Sequence, residues 1–347
     1  MYKKKFLVLL FTLLISTYGN LFAESDPLRP GHPDSYVVVE GDTLWDISAR
    51  FLTDAWRWPN IWYANPQVEN PHLIYPGDTL QLVYIDGKPR IMVQRGRQTV
   101  KLSPQGRITK LNKAIPTIPL DAIAPFLTKP EIVSQEALDS APYILGNKGE
   151  HLATAKRDKI YVRGITDAER GQGYSIVRRG EKYVDPKSGD VLGFEATYVG
   201  ESVLKLNGDP ASLIVAQANR EVLSGDLLLP SSDTTYESHF FPHAPDTEVE
   251  GQILSVMDGV SQVGLYNVVV INLGTKDGIK SGHVLDIYQA GETVKDHYSG
   301  KRDSVKLPDE RAGVLMVFRT FDRLSYALVM YAERNMHVLD MVRTPQY

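Results

Sequence analysis

The 347-residue chain contains no cysteine. This absence excludes disulfide bonds, thiolate nucleophiles, cysteine-ligated metals and a lipid attached to an N-terminal cysteine. Long apolar runs are also missing. After residue 23 no run reaches the roughly 18 apolar residues that indicate a membrane-spanning helix, so we expect no such helix in the remainder.

Sequence signatures of catalysis are scarce as well. The nucleophile pattern Gly-x-Ser-x-Gly does not occur, and the glycine-rich stretch 274–282 lacks the Gly-Lys-Ser/Thr of a phosphate loop. His239 and His243 are spaced as zinc ligands can be, but Pro242 lies between them and no Glu completes a metalloprotease motif. We therefore predict a non-catalytic chain without a metal or other cofactor. A pair of carboxylates that meets only in the fold would leave no such signature.

The first 23 residues have the layout of a signal peptide. A basic Lys3–Lys5 precedes the apolar run Phe6–Tyr18, and Ala23 offers a cleavage position before Glu24. Removal of residues 1–23 leaves 35 basic against 42 acidic residues, a net charge of −7. A net negative chain without a concentrated basic surface argues against a nucleic-acid partner.

One stretch carries most of the recognisable pattern. The tetrapeptide Gly-Asp-Thr-Leu occurs at 41–44 and again at 77–80, and all four tryptophans lie between the two copies. The apolar run Tyr36–Val39 favours a strand, and Thr43 is placed to cap a helix whose apolar face repeats at helical spacing. A strand, a turn, two short helices and a returning strand are predicted.

These residues resemble a LysM module. The resemblance lies in Tyr36-x-Val-x-x-Gly-Asp-Thr-Leu-Trp-x-Ile47, in Asn65-Pro66 and in Ile74-Tyr-Pro-Gly-Asp-x-Leu80. It implies binding of N-acetylglucosamine-containing glycans, chiefly peptidoglycan, in a shallow groove between the first turn–helix and the loop before the last strand. The positions that it assigns to glycan binding are Gly41, Asp42, Thr43, Leu44, Trp45, Asn70, Pro71, Leu73, Ile74, Tyr75 and Pro76.

A groove of this kind fits the chemistry of an N-acetyl sugar. Backbone N–H and C=O groups left exposed at the turns can pair with the N-acetyl amide, Leu73 and Ile74 can contact its methyl group, and Tyr75 can stack on a ring. The alternative is a structural role, because so small a domain uses nearly every large apolar side chain for its core. We assign Leu44 and Ile47, with Trp62 and Leu80, to that core, and both roles remain open for Asp42, Thr43, Asn70 and Pro71.

The rest of the chain predicts β structure. Short β-branched segments separated by Gly-Asp, Asn-Gly and Asp-Pro pairs favour barrel-like domains, and the apolar run Tyr326–Tyr331 predicts a strand buried on both faces. The predicted class is α+β, a βααβ module followed by two β-rich, barrel-like domains. The predicted divisions are a linker at 24–34, the module at 35–85, an extended Pro-rich connector at 86–142, a β-rich domain at 143–230, a linker at 231–248 and a second β-rich domain at 249–347.

The whole layout resembles the family of type IV pilus secretin-associated proteins, and Gly274–Val284 is similar to the end of flagellar assembly protein T. This resemblance implies a periplasmic, wall-bound protein that anchors an outer-membrane secretin to peptidoglycan. Two alternatives stay open: a peptidoglycan hydrolase targeted by its LysM module, and a regulator of a separate wall hydrolase.

Overall fold

The computed structural model describes residues 27–62, 73–94, 114–128, 132–147, 155–166, 168–231, 240–257, 262–296, 298 and 304–346. The predicted signal peptide, the site positions Asn70 and Pro71, and His239 lie outside these residues.

The described helices are short and the strands dominate. The helices are α1 Leu44–Phe51, α2 Trp58–Ile61, α3 Leu120–Thr128 and α4 Gln135–Ser140, with 3₁₀ turns at Ala55–Arg57 and Thr275–Asp277. The strands are β1 Ser35–Val37, β2 Thr79–Ile85, β3 Lys88–Gln94, β4 Ile132–Val133, β5 Tyr143–Asn147, β6 Lys159–Arg163, β7 Gly173–Val184, β8 Val191–Leu206, β9 Ala211–Ala218, β10 Leu227–Pro230, β11 Glu250–Val256, β12 Gln262–Val263, β13 Val268–Ile271, β14 Val284–Gln289, β15 Thr293–Lys295, β16 Ser304–Lys306, β17 Glu310–Thr320, β18 Ser325–Ala332, β19 Met336–His337 and β20 Met341–Arg343.

The N-terminal module is a three-stranded antiparallel sheet, β1-β2-β3, with α1 and α2 packed on it. The β2–β3 hairpin turns at Asp86 and Gly87, whose φ angles are both positive (52° and 75°). Two positive φ angles are what a tight two-residue hairpin needs, so this Asp-Gly pair fixes the register. Strand β3 thereby becomes the third strand of the sheet of the module.

The middle region forms a seven-stranded sheet in the order β4-β8-β7-β10-β5-β6-β9. An additional pairing between β8 and β9 closes six of these strands into a ring, with β4 outside it. The inward residues of the ring form an apolar core of their own. Two of these strands are long, since β7 has 12 residues and β8 has 16.

The last region is a closed barrel in the order β11-β13-β18-β17-β14-β20. Strand β18 is buried along Ser325–Met330, as its apolar run predicted, but Tyr331 at the end of that run is 47% exposed. One face of β18, with Ala327 and Val329, joins the core inside the barrel, and the other face, with Tyr326 and Leu328, joins a second cluster on the outer wall. The α+β class, with a helical module followed by β-rich regions, is confirmed.

The predicted connector differs from the structure where it is described. Residues 88–94 belong to the sheet of the module, and β4 pairs with β8 of the middle sheet. Residues 114–128 are not an isolated extended chain, because Ile115 joins the core of the module while Ile118, Ile123 and Phe126 join the cluster on the barrel wall. The prolines break regular structure, but the isoleucines between them are apolar enough to be buried.

The predicted linker before the module also differs. Leu28 is buried beside the module core, and the Arg29 N–H donates to the carbonyl of Phe51 at 2.8 Å. Thr53 N–H donates to the carbonyl of Pro27 at 3.1 Å. The described residues from Pro27 onward are therefore packed on the module. None of the helices in the described ranges has the length and apolarity to cross a membrane.

Candidate functional site

The first loop of the module is held by hydrogen bonds to the side chain of Asp42. Gly41 has a φ of 94°, a region that favours glycine, and lies at the surface. The Asp42 carboxylate accepts hydrogen bonds from the Val39 N–H at 2.9 Å and from the Tyr36 hydroxyl at 3.0 Å. Burial and the hydrogen bond to Asp42 both raise the pKa of Tyr36. Asp42 is thus a turn-forming residue that remains half exposed.

Thr43 caps α1 as predicted. Its Oγ1 accepts from the Asp46 N–H at 3.1 Å, and its hydroxyl donates to the Asp46 carboxylate at 2.7 Å. The next two backbone N–H groups, those of Leu44 and Trp45, belong to the first turn of α1, where no intrahelical partner exists. These two N–H groups point into the space between this first loop and the second loop, which precedes β2.

The second loop is tied to the first strand. Gly77 N–H donates to the Val38 carbonyl at 2.8 Å, and Val38 N–H donates to the Asp78 carbonyl at 2.9 Å. The Asp78 carboxylate accepts from the Tyr75 N–H at 3.1 Å. These bonds hold the two Gly-Asp turns side by side.

The space between the loops is already filled by the chain itself. Leu44 N–H donates to the Pro116 carbonyl at 3.0 Å, and Trp45 N–H donates to the Thr117 carbonyl at 3.1 Å. From the other side, Ile115 N–H donates to the Ile74 carbonyl at 2.8 Å. These backbone groups, expected to be exposed at the turns, are instead paired with residues 115–117. Nothing in the local pattern of the module indicated this partner.

The predicted site residues divide by exposure. Leu44, Trp45 and Ile74 are fully buried, so their side chains do not reach the surface of the groove. Leu73 is 44% exposed, and Tyr75, Pro76 and Asp42 are half-buried. The methyl contact expected of Ile74 is therefore not available in this state, whereas Leu73 and Tyr75 lie where a ligand can meet them.

Trp45 faces the C-terminal barrel. Its ring and that of Trp56 join the apolar cluster on the outer barrel wall. Beside it, the Tyr266 hydroxyl donates to the Asp46 carboxylate at 2.9 Å, which links α1 of the module to the barrel. Burial, followed by this hydrogen bond, raises the pKa of Tyr266 to about 12. Sequence reasoning missed Tyr266, because its partner lies 220 positions away.

A second polar link joins the module to the barrel. The Arg311 guanidinium lies 2.8 Å from the Asp286 carboxylate and 3.5 Å from that of Asp54 in the module. Burial raises the pKa of Asp286 although Arg311 opposes that shift. Because one cation is shared between two acids, the arrangement is an ion-pair network and not a pair of free carboxylates.

A cleft of about 510 Å³ runs along this junction. Its lining includes Asp46, Asp54, Trp56, Arg311 and Glu333. Asp54 and Arg311 form an ion pair across the junction. The Asp46 carboxylate accepts hydrogen bonds from Thr43 within the module and from Tyr266 of the barrel. In the described part of the chain, no three His, Asp or Glu side chains lie close enough to hold a metal ion.

Comparison with known proteins identifies the module. Residues 36–83 match the LysM domain family. An uncharacterized protein of Bacillus subtilis (strain 168), YqbP, is 35% identical over 60 residues, an alignment that covers 14% of this chain and 27% of that protein. The chain thus spans only about a quarter of the length of this relative. The LysM module predicted from the sequence is confirmed, and peptidoglycan binding is the function that it supports.

Proposed function

We propose that the chain is a non-catalytic, wall-bound protein whose LysM module binds N-acetylglucosamine-containing glycan of peptidoglycan. The observation that carries the proposal is the LysM match at residues 36–83, together with two Gly-Asp loops held side by side. LysM is a binding domain, so the module itself supplies attachment and not chemistry.

The exposed rim of the groove is the first contact for the glycan. Leu73 offers an apolar surface for the N-acetyl methyl group, and the ring of Tyr75 offers a face for a sugar ring. Gly41 and Asp42 lie on the opposite lip. The proposed ligand contacts are therefore Gly41, Asp42, Leu73, Tyr75 and Pro76. Asn70 and Pro71 are further candidates from the sequence. The backbone groups of Thr43–Trp45 and Ile74 are proposed contacts that lie deeper in the groove.

Leu73→Ser is expected to weaken co-sedimentation of the full chain with insoluble peptidoglycan by about 5–30-fold. This range corresponds to about 1–2 kcal/mol, the transfer free energy of a partly exposed apolar side chain. Leu145→Ser in the middle region is the matched control, because Leu145 is 42% exposed and Leu73 is 44% exposed. Equal binding by both variants and the unchanged chain would remove Leu73 from the site.

We further propose that the protein is exported by residues 1–23, resides in the periplasm and anchors an outer-membrane secretin of a type IV pilus system to the wall. The support is the layout: one wall-binding module is packed against a large β-rich body that glycan binding alone does not require. The net charge of −7 after signal removal argues against nucleic acid as the partner of that body.

A photoreactive residue at Tyr298 tests the anchor in cells. Tyr298 is fully exposed and lies between β15 and β16, whose described residues are also exposed. We expect a crosslink to the outer-membrane secretin, identified by mass spectrometry, and none from position 162 in the buried core of the middle region.

Two other outcomes would replace the anchor. Capture of a wall hydrolase in place of a secretin would favour the regulator. Release of soluble fragments from peptidoglycan by the purified chain, in proportion to its concentration, would favour the hydrolase.

A further inference from the structure

Residues 114–119, here called the strap, lie across the proposed glycan groove. Their three backbone hydrogen bonds reach both lips: the carbonyls of Pro116 and Thr117 accept from α1, and the Ile115 N–H donates to the Ile74 carbonyl. The strap is buried at Ile115 (5% exposed) and at Thr117 (1% exposed). It therefore occupies the groove and does not merely pass over it.

The strap is held at both ends of this contact. The side chain of Ile115 packs in the core of the module, whereas Ile118 packs in the cluster on the barrel wall. Immediately after the strap, α3 continues along the barrel, where the Arg319 guanidinium donates to the Phe126 carbonyl at 2.6 Å. The segment is thus tethered to the barrel while its backbone pairs with the module.

The backbone of the strap offers the same chemical groups as an N-acetyl sugar. Each peptide unit presents one carbonyl acceptor and, except at proline, one N–H donor, as the N-acetyl amide does. The carbonyls of Pro116 and Thr117 satisfy the two free donors at the start of α1, and the Ile115 N–H satisfies the Ile74 acceptor. Pro116 and Pro119 bring no N–H that would need a partner in this space.

We infer that the strap is an internal competitor for the glycan, so that the groove opens only when residues 114–119 leave it. The inference rests on the proposed glycan binding and adds its regulation. An intramolecular segment competes at a high effective concentration, and the apparent dissociation constant rises by the inverse of the open fraction. A strap that is open for about 1–10% of the time weakens glycan binding about 10–100-fold.

Hydrogen exchange on the unchanged full chain tests the competition directly. The probe is a chitin tetramer, an oligomer of N-acetylglucosamine, added to saturation. We expect faster exchange at the Ile115 amide, because its bond to Ile74 is lost, and slow exchange at the Leu44 and Trp45 amides, because the sugar replaces the strap there. Slower or unchanged exchange at Ile115 in the saturated protein would overturn the inference.

Two variants of the full chain release the strap by different means. Ile115→Pro removes the N–H that donates to Ile74, and replacement of 114–118 by Gly-Ser-Gly-Ser-Gly removes the buried side chains. Each is expected to bind the chitin tetramer about 10–100-fold more tightly by calorimetry. Val162→Ala, buried in the middle region, is the control for general destabilisation and is expected to leave the affinity unchanged.

The outcomes separate the two proposals. Measurable binding by the unchanged chain, with no tightening in either folded release variant, overturns the strap and leaves glycan binding in place. Tighter binding in both variants supports the inference that the strap competes with the glycan. Binding by both variants where the unchanged chain shows none supports it as well. Failure of all folded proteins to bind the chitin tetramer or peptidoglycan overturns glycan binding, and the strap with it.

Discussion

Replacement of Arg311 by methionine is expected to destabilise the C-terminal barrel by about 3–5 kcal/mol, because it leaves a buried carboxylate without its partner. The Asp286 side chain is 4% exposed and lies 2.8 Å from the Arg311 guanidinium. The same guanidinium reaches Asp54 of the module, so the substitution also weakens the junction of module and barrel. The measurement is the free energy of unfolding by urea. Tryptophan fluorescence follows the module, which holds all four tryptophans, and far-ultraviolet circular dichroism follows the β structure of the whole chain.

Arg343→Met is the matched control on the same barrel. Arg343 is 35% exposed, close to the 37% of Arg311, and it also contacts two carboxylates, those of Glu250 and Asp309. Those acids are more exposed than Asp286, at 46% and 14%, so its loss is expected to cost about 1 kcal/mol or less.

A second substitution checks the cause of the effect. Asp286→Asn in the Arg311→Met background is expected to recover part of the lost stability, because the amide removes the uncompensated charge. Equal losses for Arg311→Met and Arg343→Met, without recovery by Asp286→Asn, would contradict the buried-charge explanation.

Acidification from about pH 6.5 to about pH 4 is expected to remove about 3 kcal/mol of stability through His283 alone. His283 has no exposed surface, and its desolvation, followed by repulsion from His243 and Lys280, lowers its pKa to about 4. Asp246 opposes this shift. The unfolded chain takes up a proton near pH 6.5 and the folded chain does so only near pH 4, so protonation favours unfolding throughout that window.

The local geometry explains why the folded state keeps His283 neutral. Its Nδ1 accepts from the Lys280 N–H at 3.2 Å, a bond that a protonated imidazole cannot make. The ring of His243 stands edge-on to it, with 4.7 Å between the ring centroids. A proton at His283 would therefore place a charge on a fully buried ring and would break its bond to the Lys280 N–H.

The His283 effect is measured as a difference between variants. His283→Gln is expected to flatten the slope of unfolding free energy between pH 6.5 and pH 4, whereas the unchanged chain is expected to keep it. A steep slope that persists in His283→Gln would assign the acid sensitivity to other groups.

Local chemistry made the module predictable. Thr43 caps α1, Gly41 and Gly77 adopt the positive φ angles of their turns, and the Asp86-Gly87 pair closes the hairpin, all within a few residues of the elements that they shape. The burial of β18 was likewise predictable from its own apolar run. Such features depend on neighbours in sequence, which is where pattern reasoning is strongest.

The occupied groove was not predictable in the same way. It depends on the pairing of residues 115–117 with Leu44 and Ile74, and the intervening sequence carries no signal of that partner. The prolines of the connector indicated an extended chain, whereas residues 115–117 are hydrogen-bonded to the module and Ile115 is packed in its core. The hydrogen bond from Tyr266 to Asp46 and the ion pair between Arg311 and Asp54 also join residues that are far apart in sequence, so local patterns do not predict them.

Closure of the C-terminal barrel has a consequence for how the chain is made. Its first strand, β11, pairs with its last, β20, and Glu250 meets Arg343 across 93 positions of sequence. Strand β20 also pairs with β14, so the ring cannot close before Met341–Arg343 have been synthesised. Ring closure over such a distance is slow, and an unclosed ring exposes two unpaired strand edges. Chains that stop before β20 are therefore expected to aggregate or be degraded.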